Sequence, residues 1–276
     1  MSGRAVFDFS GQVVLVSGAA RGIGRELVYS FTRSGALVAS VDRDPDGLKQ
    51  TCAEAGATCR GYTVDLRSAE AVEQLFDDLQ RVWCRLDVCV NNAAVAPHAA
   101  LLDESVDVWD TVYAVNCRGT FLMTRAAARM MIAAGRGGRI INFSSAAAKR
   151  GSAGAAAYAS SRAAVESFTR VAAVELAPYE ILVNAVSPGL IDTQPKPLPP
   201  EMKAALEGRI PTLPLTRPGC PQEVADVVLF LASASAGYIT GAVIDVDGGS
   251  SVGRRPEGTV CDDDPRYFWV TGKQVS

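Results

Sequence analysis

A chain of 276 residues with a formal net charge of −3, 48% hydrophobic and 21% charged, has the makeup of a folded globular protein. Nothing in that balance supplies the concentrated basic face that a nucleic-acid or anionic-membrane partner would need. The N-terminal "MSGRAVFDFSGQ" lacks a secretory apolar core and no apolar run reaches bilayer length, so a cytoplasmic protein without a membrane partner is expected.

Strand-like apolar runs then alternate with amphipathic segments. "QVVLVSG" (12–18) is β-branched and ends in glycine, and "GRELVYSFTRSG" follows with a helical pattern. "ALVASVD" (36–42) and "TCRGYTVD" (58–65) read as the second and third strands. "LDVCVNN" (86–92), "GRIINFSS" (138–145), "ILVNAVS" (181–187) and "AVIDVDGG" (242–249) complete the series. Each run is parted from the next by at least one helix length. This predicts an α/β fold: a Rossmann-type, doubly wound parallel sheet of about seven strands, with helices on both faces in three αβα layers. One domain is expected over 1–250, followed by an extension over 251–276. The proline-rich stretch 193–219 leaves the rhythm and reads as a functional excursion. In the extension, Tyr267, Phe268, Trp269 and Val270 need an apolar surface, expected on the domain, over the substrate cleft or on a neighbouring subunit. The acidic run 262–264 reads as a solvated turn.

Seven cysteines (Cys52, Cys59, Cys84, Cys89, Cys117, Cys220 and Cys261) form no C-x-x-C pair, which predicts reduced thiols and no metal site. The single histidine, His98, leaves little basis for a His-centred triad.

Between the first strand and the first helix, "SGAARGIG" places Gly18, Gly22 and Gly24, with Arg21 and Ile23 between them. Such a turn lets backbone amides approach a phosphate at a helix N-terminus. Asp42 ends the second strand, where a carboxylate would meet a ribose 2′-hydroxyl and repel a 2′-phosphate. NAD is therefore favoured over NADP, while Arg21 and Arg43 are cations that could partner a phosphate. Further on, Tyr158 is followed four places later by Arg162, one helical turn away.

Taken together these motifs resemble the short-chain dehydrogenase/reductase family from about Ser10 to Gly249. "SGAARGIG" resembles its cofactor turn, with Ser17 where threonine is common. Asp65, with Leu66 beside it, resembles the acidic residue at the adenine. "NNAA" (91–94), with Asn92 and Ala93, resembles the Asn-Asn-Ala-Gly segment, Ala94 replacing glycine. Asn116 resembles the structural and catalytic asparagine. Ser145, thirteen residues before Tyr158, matches the catalytic serine, and Tyr158 the catalytic tyrosine. Pro188, Gly189 and Thr193 resemble the segment at the nicotinamide end. Arg162 stands where the family carries lysine, and no lysine occurs between Lys149 and Lys196 to replace it.

The resemblance implies hydride exchange between nicotinamide C4 and a secondary alcohol or ketone. Tyr158 would be the acid–base group, Ser145 would hold the substrate oxygen, and the cation at 162 would lower the tyrosine pKa and hold the ribose. Poising a tyrosine near neutrality takes about 3 pH units, or roughly 4 kcal/mol. One cation about 5 Å away, at an effective dielectric of about 20, supplies roughly 3 kcal/mol. An arginine therefore keeps most of the charge effect. It cannot take part in a relay that loses and regains a proton. A working oxidoreductase with altered pH dependence is expected. Two other readings stay open: a cofactor-binding homologue with impaired catalysis, and an epimerase or dehydratase working through a transient ketone.

Substrate walls are expected from Val95, Pro97, His98, Ala147, Leu190 and parts of 194–213, mainly apolar. Lys149 and Arg150 read as solvated loop charges, or as receivers of an anionic substrate. Family members commonly form tetramers through the helices carrying Asn116 and Tyr158. The small faces of "TRAAARMMIAAG" and "YASSRAAVESFTRVAAVELA" permit that, so a homotetramer or homodimer is expected.

Overall fold

The computed structural model describes residues 5–193, 208 and 210–253. Seven strands form one parallel sheet: β1 (Val13–Ser17), β2 (Leu37–Asp42), β3 (Cys59–Thr63), β4 (Val88–Asn91), β5 (Gly138–Phe143), β6 (Ile181–Pro188) and β7 (Val243–Val246). Their order is β3-β2-β1-β4-β5-β6-β7, which reverses direction between β1 and β4. All seven expected strand regions are present. The order follows from helical crossovers, which return each chain segment parallel to the last.

Among the described residues the sheet is flanked by α1 (Gly22–Arg33), α2 (Pro45–Ala55), α3 (Ala69–Trp83), α4 (Val106–Tyr113), α5 (Thr120–Ala134), α6 (Ala156–Leu176) and α7 (Pro221–Ala232). Side chains alternate across the sheet, as the strand period requires. Val13 and Leu15 of β1 pack with α3, α5 and α6, whereas Val14 and Val16 pack with α1, α7 and Leu48 of α2. Two apolar layers therefore sandwich the sheet.

Local chemistry places the helix starts. Asp44 caps α2 by accepting from Gly47 N (3.1 Å), with Pro45 in the first turn. Ser68 caps α3 through Ala71 N (3.1 Å), and Ser105 caps α4 through Val108 N (3.3 Å). Between α4 and α5 the helix widens into one π segment, Ala114–Gly119. Among the described residues no helix is long and apolar enough to cross a membrane. The aromatic cluster of the extension, its acidic run and most of the proline-rich excursion lie outside the described residues.

Candidate active site

The residues singled out in the sequence gather beyond the C-terminal ends of the parallel strands. That edge, near the β1/β4 reversal, is where open α/β sheets bind ligands.

The glycine turn follows β1. Gly18 has φ +69, and a Cβ there would lie 2.7 Å from Asn92 Nδ2 and 2.8 Å from Ala93 Cα. Asn92 Nδ2 donates to Ser17 O (3.0 Å) and Gly18 O (3.1 Å), binding the "NNAA" segment to the turn. Ser17 Oγ accepts from Ala93 N (3.2 Å) and donates to Val90 O (3.3 Å). A Cβ on Gly24 would lie 1.9 Å from Gly18 O, so the turn closes only with glycine. Thr193 packs on Gly22, at 3.4 Å from a Cβ built there, bringing the segment after β6 against the turn.

α1 differs from its neighbours at its start. Arg21 provides no side-chain cap, and the first turn holds no acidic residue. The orphan amides of that end, with the positive end of the helix dipole, fit a pyrophosphate. Asp42 Oδ2 accepts from Ala20 N (2.9 Å) and Oδ1 from Asp44 N (3.0 Å), fixing the carboxylate beside the turn. Asp65 does not point freely at a ligand: it forms a bidentate pair with Arg67 (Nη2–Oδ2 2.6 Å). That pair holds the Asp65 carboxyl below its usual range, against the opposing effect of burial. It lines an open cavity of about 410 Å³ with Asp110, Thr111 and Arg118.

The chemical end is built on β5, α6 and the π segment. Ser145 follows β5 and accepts from Ala147 N (3.2 Å), which orients its hydroxyl. Tyr158 lies in the first turn of α6, and the guanidinium of Arg162 sits 5.2 Å from its ring centroid. Burial pushes the Tyr158 phenol up. The Arg162 charge and hydrogen bonds from Ser145 and Arg162 outweigh that and hold it below the ordinary tyrosine value. Arg162 is itself buried. Its Nη1 donates to Phe143 O (2.7 Å), while its Nε has no partner among the described residues.

Asn116, fully buried, is a bracket. Its Oδ1 accepts from Val95 N (3.0 Å), and its Nδ2 donates to Val95 O (3.0 Å) and Ser161 Oγ (3.0 Å). Ser161 Oγ donates in turn to Tyr158 O (2.7 Å). Asn116 thus ties the loop after β4 to the helix carrying the tyrosine. Ser161 was not singled out in the sequence; its position three residues after Tyr158 was the available signal.

Of the substrate-wall candidates, Val95 is held by Asn116. The loop carrying Pro97 and His98 is joined to the loop before α6 through Ala99 N→Gly154 O (3.1 Å). His98 is exposed, whereas Ala147 and Leu190 are half-buried, and Gly219 N donates to Leu190 O (2.9 Å). Lys149 is exposed, as expected of a solvated loop charge, while Arg150 is half-buried. Lys149 Nζ pairs with Asp245 (2.6 and 2.7 Å), and Arg150 Nη1 donates to Ser250 O (3.0 Å).

A glycine turn opening a Rossmann sheet, with a Ser–Tyr–cation group across the same edge, defines a dinucleotide-dependent oxidoreductase class. Residues 18–251 match the family described as enoyl-(acyl carrier protein) reductase. The chain is 38% identical to the 3-oxoacyl-(acyl-carrier-protein) reductase FabG of Aquifex aeolicus, over 87% of this chain and 97% of that protein. It is 39% identical to the (3R)-3-hydroxyacyl-CoA dehydrogenase of Mus musculus (86% and 95% covered) and 34% identical to the sorbitol dehydrogenase of Cereibacter sphaeroides (87% and 97%). A solved short-chain type dehydrogenase/reductase from Mycobacterium marinum superposes with a TM-score of 0.83 at 34% identity, covering 88% of this chain and 97% of that one. The chain belongs to the short-chain dehydrogenase/reductase family of NAD(P)(H)-dependent oxidoreductases.

Proposed function

We propose that this protein interconverts a secondary alcohol and a ketone using NAD(H), with Tyr158 as the general acid and base. The observation that carries the reading is the half-buried Tyr158 ring with the Arg162 guanidinium 5.2 Å from its centroid, a charge that together with Ser145 holds the phenol below its ordinary pKa. In the oxidation direction, Tyr158 as phenolate takes the substrate hydroxyl proton. Ser145 hydrogen-bonds the same oxygen and steadies its changing charge. Arg162 stabilises the phenolate, and its unpaired Nε is a donor that a ribose hydroxyl would satisfy. Asn116 holds the Val95 backbone against α6, fixing the substrate wall relative to the tyrosine. In the reduction direction Tyr158 returns the proton. When bound, the nicotinamide supplies or accepts the hydride.

On the cofactor side, the uncapped start of α1 suits the pyrophosphate and Asp42 suits an unphosphorylated ribose, which favours NAD over NADP. Gly18, Arg21, Gly22, Ile23 and Gly24 would form the phosphate turn. Arg43, Asp65 and Leu66 would flank the adenosine, and Asn92, Ala93, Pro188, Gly189 and Thr193 the nicotinamide end. With Lys149 and Arg150 committed elsewhere, the walls near Ser145 favour an uncharged reacting end. The named relatives act on 3-oxoacyl and 3-hydroxyacyl thioesters and on sorbitol, so both chemistries belong in the substrate panel.

The test follows NADH absorbance across alcohols, polyols, ketones and 3-oxoacyl thioesters, with NADPH in parallel. Turnover with at least one secondary alcohol or ketone, lost in Tyr158→Phe, is expected. Dinucleotide binding without turnover would overturn the reading in favour of impaired catalysis, which the engagement of Arg162 with Phe143 O would then explain. Cofactor-dependent conversion without net NADH change would point to epimerisation or dehydration. The same reading includes self-association, as a homotetramer or homodimer, through the faces of α5 and α6.

A further inference from the structure

Cys52 lies on α2 and Cys59 opens β3, seven residues apart with no motif linking them. Gly56, at φ +89, ends α2 and reverses the chain, so the two thiols meet. Cys59 Sγ donates to Cys52 Sγ at 3.2 Å, and Ser40 Oγ lies 3.1 Å from Cys59 Sγ. Among the described residues this is the one place where two thiols are in hydrogen-bond contact. Both are half-buried, and the turn between them is largely exposed, so a small oxidant reaches them. A Cβ on residue 61 would lie 3.2 Å from Cys52 Sγ; glycine there leaves the approach of α2 to β3 clear.

We propose that Cys52 and Cys59 are a redox pair, oxidised by a peroxide to an intrachain disulfide that fastens α2 to β3 beside the nucleotide turn. The remaining approach, to an S–S bond of about 2 Å, is small. The hydrogen bond from Cys59 draws the Cys52 thiol down to about 7, against the effect of burial, with Ser40 adding to the lowering. The same bond, with burial, pushes Cys59 up. Cys52 is therefore the attacking thiolate. Its sulfur takes one oxygen of the peroxide as the O–O bond breaks, giving a sulfenic acid. Cys59 sulfur then attacks that sulfur, the S–S bond forms, the S–O bond breaks, and water leaves with the thiol proton. Two thiols lose two electrons and two protons, and the peroxide is reduced to two waters.

The bond would reach the cofactor turn through the neighbouring residue. Thr51 Oγ1 donates to Ala19 O (3.0 Å) and accepts from Arg25 Nε (3.1 Å), and Arg25 Nε also donates to Ala20 O (3.1 Å). Drawing Cys52 toward β3 shifts Thr51 against that turn, so dinucleotide affinity falls on oxidation. This consequence rests on the proposed function.

The full chain, reduced and then treated with hydrogen peroxide, is alkylated and digested with trypsin. One peptide, residues 50–60, carries both cysteines. It is expected unalkylated and two hydrogens lighter, reverting with dithiothreitol. Two alkyl groups on it, a sulfinic or sulfonic Cys52 beside an alkylated Cys59, or a link to another cysteine overturns the pairing. NADH fluorescence titration should show several-fold weaker binding after oxidation, restored by reductant, with Cys52→Ser/Cys59→Ser insensitive to peroxide. Unchanged affinity in the cross-linked protein overturns the coupling. Reduced protein that binds no dinucleotide would instead sink the proposed function, leaving the peptide result standing.

Discussion

Tyr158 balances burial against a neighbouring charge, and the charge prevails. The sign of its pH dependence follows. The phenolate is the working base for oxidation, so the rate climbs with pH and levels off above the phenol's pKa; a depressed pKa moves that climb to lower pH. Arg162→Met removes a charge 5.2 Å from the ring. At an effective dielectric of about 20 a charge at such a distance is worth about 3 kcal/mol, so the climb should move to higher pH and the neutral-pH rate fall about a hundredfold. Arg162→Lys keeps the charge and should stay within about tenfold of wild type, its climb near the original position. Stopped-flow pH profiles of the three proteins, with melting curves to confirm folding, check this; a Met variant whose profile overlays wild type would remove Arg162 from the electrostatics. Ser145, Tyr158 and Asn116 were singled out through motifs that resemble the family's rather than through spacing alone. The engagement of Arg162 with Phe143 O was not legible, because it depends on how the end of β5 passes α6. Cys52 and Cys59 were hidden for the same reason: a helix–strand turn sets their distance, and no spacing rule encodes it.

At the scale of elements, the proposed phosphate site rests on an unmade interaction at the start of α1, a lack of side-chain cap that α6 shares. α2, α3 and α4 each begin on a capping side chain, while α1 begins on Arg21 without one. Elsewhere an omitted cap costs about 1 kcal/mol. Here it leaves amides free for an anion, and it needs Gly24 to let the helix start under Gly18 O. Gly24→Ala would place its methyl 1.9 Å from that oxygen, forcing turn and helix apart. Dinucleotide binding by calorimetry should be lost, and the melting temperature should fall by several degrees. Wild-type affinity in this variant would show that the turn does not hold the phosphates. The strand runs were legible because apolar β-branched stretches between helix-length segments leave few other folds. The π segment at Ala114–Gly119 was not, because no residue pattern around Asn116 marks a widening of the helix. Its widening coincides with the buried amide bonded to Val95 and Ser161, contacts from two distant parts of the chain.

Across the whole molecule, parallel strands and crossover helices bring residues from Gly18 to Thr193 to one edge. Inside the sheet, Asn91 Nδ2 donates to Asn142 Oδ1 (2.8 Å) and Thr124 Oγ1 (2.9 Å), and Asn142 Nδ2 to Thr169 Oγ1 (2.9 Å). This ladder stitches β4 and β5 to α5 and α6, and it was illegible because isolated polar letters in apolar runs do not name their partners. The outer faces of those same helices carry exposed apolar side chains among charged ones such as Arg129, Arg170 and Glu175. Val171 and Val174 are 52% and 76% exposed on α6, and Phe121 on α5 packs edge-on against Phe168 of α6. A second copy covering this face would remove that surface from water at about 25 cal/mol per Å². The proposed self-association therefore depends on it. Val171→Asp/Val174→Asp changes only exposed positions and should fold normally, yet sediment as a smaller assembly than wild type, because two carboxylates per copy would be buried without partners. Sedimentation equilibrium on both proteins decides the point: a double variant that keeps the wild-type mass would move the interface off this face.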